Sequence, residues 1–372
     1  MKLAIKSLTA LYRKQQRVIL FSLLIVLGFW LVYNFRPTPR LESLKPLPQD
    51  PAIKVYFNQN QAATYEDPYR HFKRKGDNFE QQIINAINQA ESTVDLAIME
   101  FRLPNVAKAL IAKQSRGVKV RLLIDNNYNK TLADYTSAEI ANMSRHNKAA
   151  LAELKRYPAD ALAWLRESGI EIKDDTSDGA TKGSGLMHHK FIVVDAKTAI
   201  ISSGNLTTSD LNGDFSSLES RGNPNNLVVI TNNTEVAQAF TDEFNYMWQG
   251  VFKSHKPYRP PLTTSVGSGT ITINFSPAPK KQAIETTSNG IISFYLQQTN
   301  TSAHIALFVY SAQTISDTLG DVRERGVTDI KVLVDPDFYK QPYSKAYDAL
   351  GVCPTPGKGK RKSKIQVNPW RN

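Results

Sequence analysis

Hydrophobic positions along this chain alternate between short β-branched runs and longer stretches with helical spacing. Ile53–Phe57 alternates apolar and polar residues. The runs at 94–101, 118–125, 190–195, Thr198–Ser202 and Asn226–Ile230 are mostly apolar, and all of these read as strands. Between them, Asp77-Asn78-Phe79-Glu80 has the form of a capping box and predicts a helix to Ala90. Pro104 opens a second helix that Arg116-Gly117 ends, and a third is predicted over 149–168, ended by Gly169. Thr234–Trp248 carries Val236, Phe240, Phe244 and Met247 on one face, which marks that face as core. Strand, helix, strand with both strands apolar predicts parallel neighbours, and hence an α/β fold with a mixed sheet flanked by helices.

The N-terminal stretch has a different pattern. Val18 to Tyr33 is apolar except for Ser22 and Gly28, approaches the ~20 residues that span a bilayer, and ends in Trp30 and Tyr33. Lys2, Lys6, Arg13, Lys14 and Arg17 precede it, and only Arg36, Arg40 and Lys45 come closely after it. The expectation is a basic cytoplasmic N-terminus (1–17), a single transmembrane signal anchor (18–35), a Pro-rich linker (36–51) and a folded body outside the cytoplasm.

A second boundary falls in the Pro-rich, polar segment after Lys253, and the residues beyond that segment echo the first half. Ile271-Thr272-Ile273-Asn274-Phe275 resembles Ile53-Lys54-Val55-Tyr56-Phe57, and Arg325-Gly326-Val327 with the run ending at Asp335 resembles Arg116-Gly117-Val118 with the run ending at Asp125. One complete domain at 52–252 and an incomplete repeat at 270–350 are expected, with a basic tail at 351–372.

Net charge of +12 over 372 residues suits anionic partners: phospholipid, nucleic acid or phosphate esters. The single cysteine, Cys353, excludes an internal disulfide. The segment 58–75 is basic and aromatic (Tyr65, Tyr69, Arg70, Arg74) and reads as a solvated surface loop. No His, Cys, Asp and Glu cluster has metal-ligand spacing, so neither metal nor cofactor is expected.

The chemistry concentrates at Met187-His188-His189-Lys190 and at Ser202-Ser203-Gly204-Asn205. Two adjacent strands would carry His188, Lys190, Ser203 and Asn205 to one end of a sheet. An imidazole attacks phosphorus, while an ammonium and neutral donors hold the non-bridging oxygens and the charge that builds on them. By alternation His189 falls on the other face and reads as structural.

His188-x-Lys190, four residues, Asp195, six residues, then Ser202-Ser203-x-Asn205 resembles the HKD motif of the phospholipase D superfamily, with Ser202 where the family has Gly. The run Gly204-Asn205-Leu206-Thr207 is similar to bacterial members of that family. The resemblance implies a phosphodiesterase acting through a phosphohistidine, with His188, Lys190 and Asp195 as motif residues and Lys190, Ser203 and Asn205 binding phosphate. Where the family carries an acidic residue, this chain has Asn225, with Glu219 six residues earlier. Family members join two motifs at one site. A second histidine at the spacing of the first half would fall at position 398, beyond Asn372, so the chain reads as ending before its second motif. The implied activity is headgroup hydrolysis or transfer on a phospholipid at a membrane. Alternatives are a nuclease and an impaired remnant, and a homodimer would complete the site.

Overall fold

The computed structural model describes residues 44–349, apart from 179–182, 184, 280, 347 and 348, together with 366–369. The described elements beyond Pro46 belong to one compact unit, Leu47–Asn372. Its strands begin with β1 (Ile53–Phe57), β2 (Thr64–Glu66), β3 (Lys73–Lys75), β4 (Thr93–Ile98), β5 (Lys119–Ile124), β6 (Glu171–Asp174), β7 (Lys190–Val194), β8 (Thr198–Ser202) and β9 (Asn226–Ile230). Seven of them form one sheet in the order β1-β9-β8-β7-β4-β5-β6. β4, β5 and β6 are parallel, whereas β7, β8, β9 and β1 are antiparallel, each to the strand before it in the sheet. This is the mixed α/β sheet that the apolar pattern predicts. Every residue of β7 is buried, and a strand with two buried faces belongs in the middle of a sheet.

Side-chain alternation divides the core between the two faces of the sheet. Leu96, Ile98, Leu122, Ile192 and Val194 pack with the helices Phe79–Asn88, Pro104–Gln114 and Ala161–Glu167. Ala97, Leu123, Phe191 and Val193 pack with Val236, Phe240, Phe244 and Met247 of the helix Thr234–Trp248. Next come the hairpin β10 (Leu262–Val266) and β11 (Gly269–Ile273), then the parallel strands β12 (Ser302–Leu307), β13 (Asp329–Val334) and β14 (Gln366–Pro369). The helices Ser288–Gln297 and Gln313–Glu324 precede β12 and β13, in the order that the helices Phe79–Asn88 and Pro104–Gln114 precede β4 and β5. This second part has a core of its own around Leu319, Val322, Ile330 and Val332.

Local differences from the sequence expectations have physical causes. The helix expected over 149–168 is two helices, Arg145–Leu154 and Ala161–Glu167. Pro158 has no N–H to continue the first, and Asp160 caps the second by accepting from Ala163 N. At the Phe79–Asn88 helix, Asn78 accepts from Gln81 N, but Glu80 does not close a capping box. It is buried against Tyr69 and Asn212 instead, and burial pushes its carboxyl up to about 7. The expected single-pass membrane location is corrected: no helix among the described residues is long and apolar enough to cross a membrane. The stretch 18–35 that suggested one lies outside the described residues, as does most of the basic tail.

The segment 58–75 is not the solvated loop its charge suggested. The guanidiniums of Arg70 and Arg74 are 10% and 4% exposed and share the buried carboxylate of Asp67, at 2.8 and 2.5 Å. They also donate to the carbonyls of Asn212, Gly213, Asp214 and Ser220. Those carbonyls need partners because the chain turns sharply there. Gly213 has φ of +90°, and a Cβ on it would lie 2.0 Å from Ser220 O. Burial raises the Asp67 carboxyl's pKa, but hydrogen bonds from both arginines outweigh it and hold the group below its usual range. Asp67→Ala would leave two buried cations unpaired and should cost ~3–5 kcal/mol in urea denaturation. Lys130→Met removes a solvent-exposed pair at 2.8 Å and should leave the urea midpoint almost unchanged.

Candidate active site

The antiparallel insertion of β7 decides where the motif lies. Lys190, its first residue, pairs with Ile98, the last residue of β4, so the segment before Lys190 sits at the carboxyl ends of β4 and β5. β8 runs back to the same end, where Ser202 leads into Ser203, Gly204 and Asn205. His188, Lys190, Ser203 and Asn205 therefore come together as the sequence predicted. Glu100, two residues past β4, and Asp125, one past β5, join them. In open α/β sheets the carboxyl ends of strands are where ligands bind.

Lys190 is 7% exposed, and its Nζ donates to His188 O at 3.0 Å. Burial pushes its ammonium down to about 8, opposed by the carboxylates of Asp210, Asp125 and Glu100. Two of these carboxylates serve as clamps. Asp125, fully buried, accepts Met187 N at 2.8 Å and the Asn127 main chain at 2.9 Å, which fixes the approach to His188. Asp210 accepts Asn205 N and Asn223 Nδ2, both at 2.8 Å, which fixes the opposite arm.

Asn205 accepts Glu100 N through Oδ1 at 3.3 Å, and its Nδ2 carries no hydrogen bond among the described residues, leaving a donor for a ligand. The Ser203 hydroxyl donates to Asn225 Oδ1 at 2.8 Å and accepts Asn226 N at 3.0 Å, so it holds the start of β9. Asn225 is the residue that meets Ser203; Glu219 is exposed on the preceding loop. Ser202, in the family's glycine position, accepts Gly204 N at 3.0 Å and closes the turn.

His188 is exposed, and its imidazole has no hydrogen-bond partner among the described residues. Partial desolvation, then Lys190 and His189, push its pKa below the ordinary value, against the pull of Asp125 and Asp210. The ring is thus neutral near pH 7, the form with a lone pair to give. His189 points to the other face, as alternation requires. Its Nε2 lies 2.7 Å from the buried Glu243, which also binds Lys256 and Arg259. Burial raises the Glu243 carboxyl's pKa, but these partners outweigh it and bring it down to about 2.

Asp195 does not join the site. It stands past the far end of β7, ~16 Å of strand from Lys190, with φ of +54°. Its carboxylate accepts Glu91 N, Ser92 N, Ser92 Oγ and Thr93 N, all at 2.8 Å, and so ties β7 to the start of β4. The sequence reading missed Glu100, Asp125 and Asp210; its available signal was an acidic residue directly after an apolar strand, as at Ile124-Asp125. Among the described residues, no group of three or more His, Cys, Asp or Glu is placed to hold a metal ion.

A sheet with a histidine, a buried lysine and an amide at its carboxyl edge defines an α/β protein equipped to grip a phosphoryl group. Residues 83–248 match the family model described as cardiolipin synthase, PLD-like domain. Over those residues the chain is similar to phospholipase D-like domains. It is 28% identical over 160 residues to the mitochondrial cardiolipin hydrolase of Xenopus laevis, covering 43% of this chain and 56% of that protein. The human protein of the same name is 25% identical over 186 residues, covering 50% and 57%. The chain thus spans little more than half the length of the curated relatives it matches. Among solved structures, a phospholipase D family member, Nuc from Salmonella typhimurium, aligns at 22% identity and TM-score 0.34, over 53% of this chain and 94% of that one. Phosphatidylserine synthase from Haemophilus influenzae aligns at 13% identity and TM-score 0.45, over 79% and 71%.

Asp195→Ala is expected to destabilise the fold by ~1–3 kcal/mol through its unpaired amides. Burial raises the Asp195 carboxyl's pKa, but the amides of Thr93, Glu91 and Ser92 outweigh it and lower the group. A lowered carboxylate stabilises fully above its unfolded value of ~3.9 and loses that contribution as pH falls through the folded value. Denaturant melts of the two proteins should therefore differ at pH 6 and begin to draw together only below ~3.9, converging as pH falls through the lowered folded value.

Proposed function

We propose that this chain is a phosphodiesterase in which His188 is the nucleophile. One observation carries the reading: a neutral, unpartnered imidazole stands at the same sheet edge as a buried ammonium and an amide donor. The His188 lone pair attacks phosphorus, the bond to the departing alcohol breaks, and a phosphohistidine forms. Lys190 and the Asn205 amide hold the non-bridging oxygens, and burial makes the Lys190 charge act more strongly than it would in water. Asp125 and Asp210 hold the two arms in register, Ser203 braces the second, and Asp195 secures the strand. Water then attacks phosphorus and frees His188.

A phospholipid phosphodiester is the favoured substrate class, supported by relatives whose names specify cardiolipin hydrolysis. A nucleic-acid phosphodiester is the second reading, favoured by the net charge of +12. The departing alcohol needs a proton. Two sources are open to it: His188 of a second copy of this chain in a symmetric dimer, or a group of this chain itself.

Assays on cardiolipin in detergent micelles and on single-stranded DNA separate the two substrates, and turnover of neither sinks the proposal. His188→Asn should abolish turnover together with the acid-labile phosphoenzyme trapped by an alkaline quench. Activity should fall on the acid side, below the ordinary histidine range, as His188 gains a proton. It should also fall on the alkaline side, by about pH 8 at the latest, as Lys190 loses one. Turnover should survive chelator, because Lys190 supplies the charge a metal would bring.

A further inference from the structure

The small sheet repeats one part of the large one. β12, β13 and β14 are parallel neighbours in that order, as β4, β5 and β6 are. The helix Gln313–Glu324 joins β12 to β13, and the helix Pro104–Gln114 joins β4 to β5. The two sheets differ on the other side of the first strand. β4 takes β7 there, antiparallel, whereas β12 has no strand there among the described residues. Exposure follows that difference. β4 is buried from Val94 to Ile98, but in β12 only Ala303 is buried. Phe308, just past β12, is 61% exposed. The helix Phe79–Asn88, ahead of β4, shares a core with Ile192 of β7 and Ile200 of β8. Its counterpart ahead of β12, Ser288–Gln297, has no charged residue and buries only Gly290. Ile292, Phe294 and Tyr295 stand exposed on it, and a helix with such positions belongs under cover.

The edges of the large sheet are protected. At β1 the Gln49 side chain donates to Val55 O at 2.7 Å and accepts Val55 N at 2.9 Å, and Phe57 N donates to Asp77 Oδ2 at 2.8 Å. β6, at the other end, is four residues long and carries Glu171 and Lys173. Side-chain caps, brevity and charge keep an edge from pairing with another chain. The stretch Ser302-Ala303-His304-Ile305-Ala306-Leu307 of β12 has no Lys, Arg, Asp, Glu or Pro. We propose that β12 is a pairing edge for a second copy of this chain. Two β12 strands join about a two-fold axis and make one six-stranded sheet. A two-fold normal to a sheet sets like strands antiparallel, the sense in which β4 takes β7. The second copy then stands where β7 and β8 stand in the large sheet, beside the counterpart of the helix that they cover. Residues directly opposite in such a pair share a face, so the exposed His304 and Ala306 meet the same two residues of the second copy. Asp329 holds His304 at 3.1 Å and Lys331 at 2.8 Å, so the charges beside the edge already balance.

Sedimentation equilibrium of the 372-residue chain at micromolar concentrations should show a dimer. Amide exchange over residues 302–309 should slow as concentration rises. His304→Lys with Ala306→Lys sets lysines opposite one another at exposed positions and should weaken the dimer at least ~10-fold. His304→Thr with Ala306→Thr changes the same positions without adding charge and should leave the dimer intact. A monomer at every concentration overturns the proposal. A dimer that the lysines leave unchanged means that another surface joins the copies, and equal weakening by the threonines means that the substitutions act through the fold. Exchange over 302–309 that is slow at every concentration means that this same chain covers the edge. Each of these three results also overturns the proposal.

Discussion

A lysine ammonium buried at the first position of a wholly apolar strand is the constraint on which this site is built. Isolated, such a charge is costly to bury. Here Lys190 is given a backbone carbonyl at 3.0 Å and the field of three carboxylates, none of which neutralises it in a direct pair among the described residues. The result is a cation that burial weakens but does not extinguish. A phosphate ester with its negative charge would complete the balance that the protein leaves open.

Of the carboxylates around Lys190, Glu100 and Asp125 are placed by strand ends and Asp210 by the short helix Thr208–Leu211, and the second task of Asp125 and Asp210 is mechanical. Asp125 holds Met187 and Asp210 holds Asn205, so the loops bearing His188 and Asn205 are fixed by the same charges that face the lysine. Farther out, Arg70 and Arg74 brace the 212–220 loop through its carbonyls. On the reverse face, Glu243 ties His189 to Lys256 and Arg259 from the segment beyond the helix Thr234–Trp248. Backbone polar groups that leave a sheet must find partners, and around its site this chain supplies them with both charged and neutral side chains, Asp125 and Asp210 beside Ser203 and Asn205.

Much of this was legible in the sequence for reasons of period and spacing. The β-branched runs specified the strands of the main sheet, the spacing of Val236, Phe240, Phe244 and Met247 specified a core helix face, and alternation put His189 opposite Lys190. The motif pattern named the histidine, lysine and asparagine that the sheet brings together. The readings that failed depend on distant partners. Arg70 and Arg74 look like surface residues until Asp67 and the 212–220 carbonyls are brought to them, and Glu80 looks like a helix cap until Tyr69 and Asn212 surround it.

Local sequence alone determined which segments become strands, which positions are apolar, and which functional groups the motif supplies, because those properties come from side-chain period and functional-group type. Tertiary structure decided that β7 enters antiparallel between β8 and β4. That one choice sends Lys190 and His188 to the carboxyl edge beside Glu100, Asp125 and Asn205, and sends Asp195 to the far end as a tether for residues 91–93. Strand order and register are set by pairing energies summed over the whole sheet, and no single segment contains them.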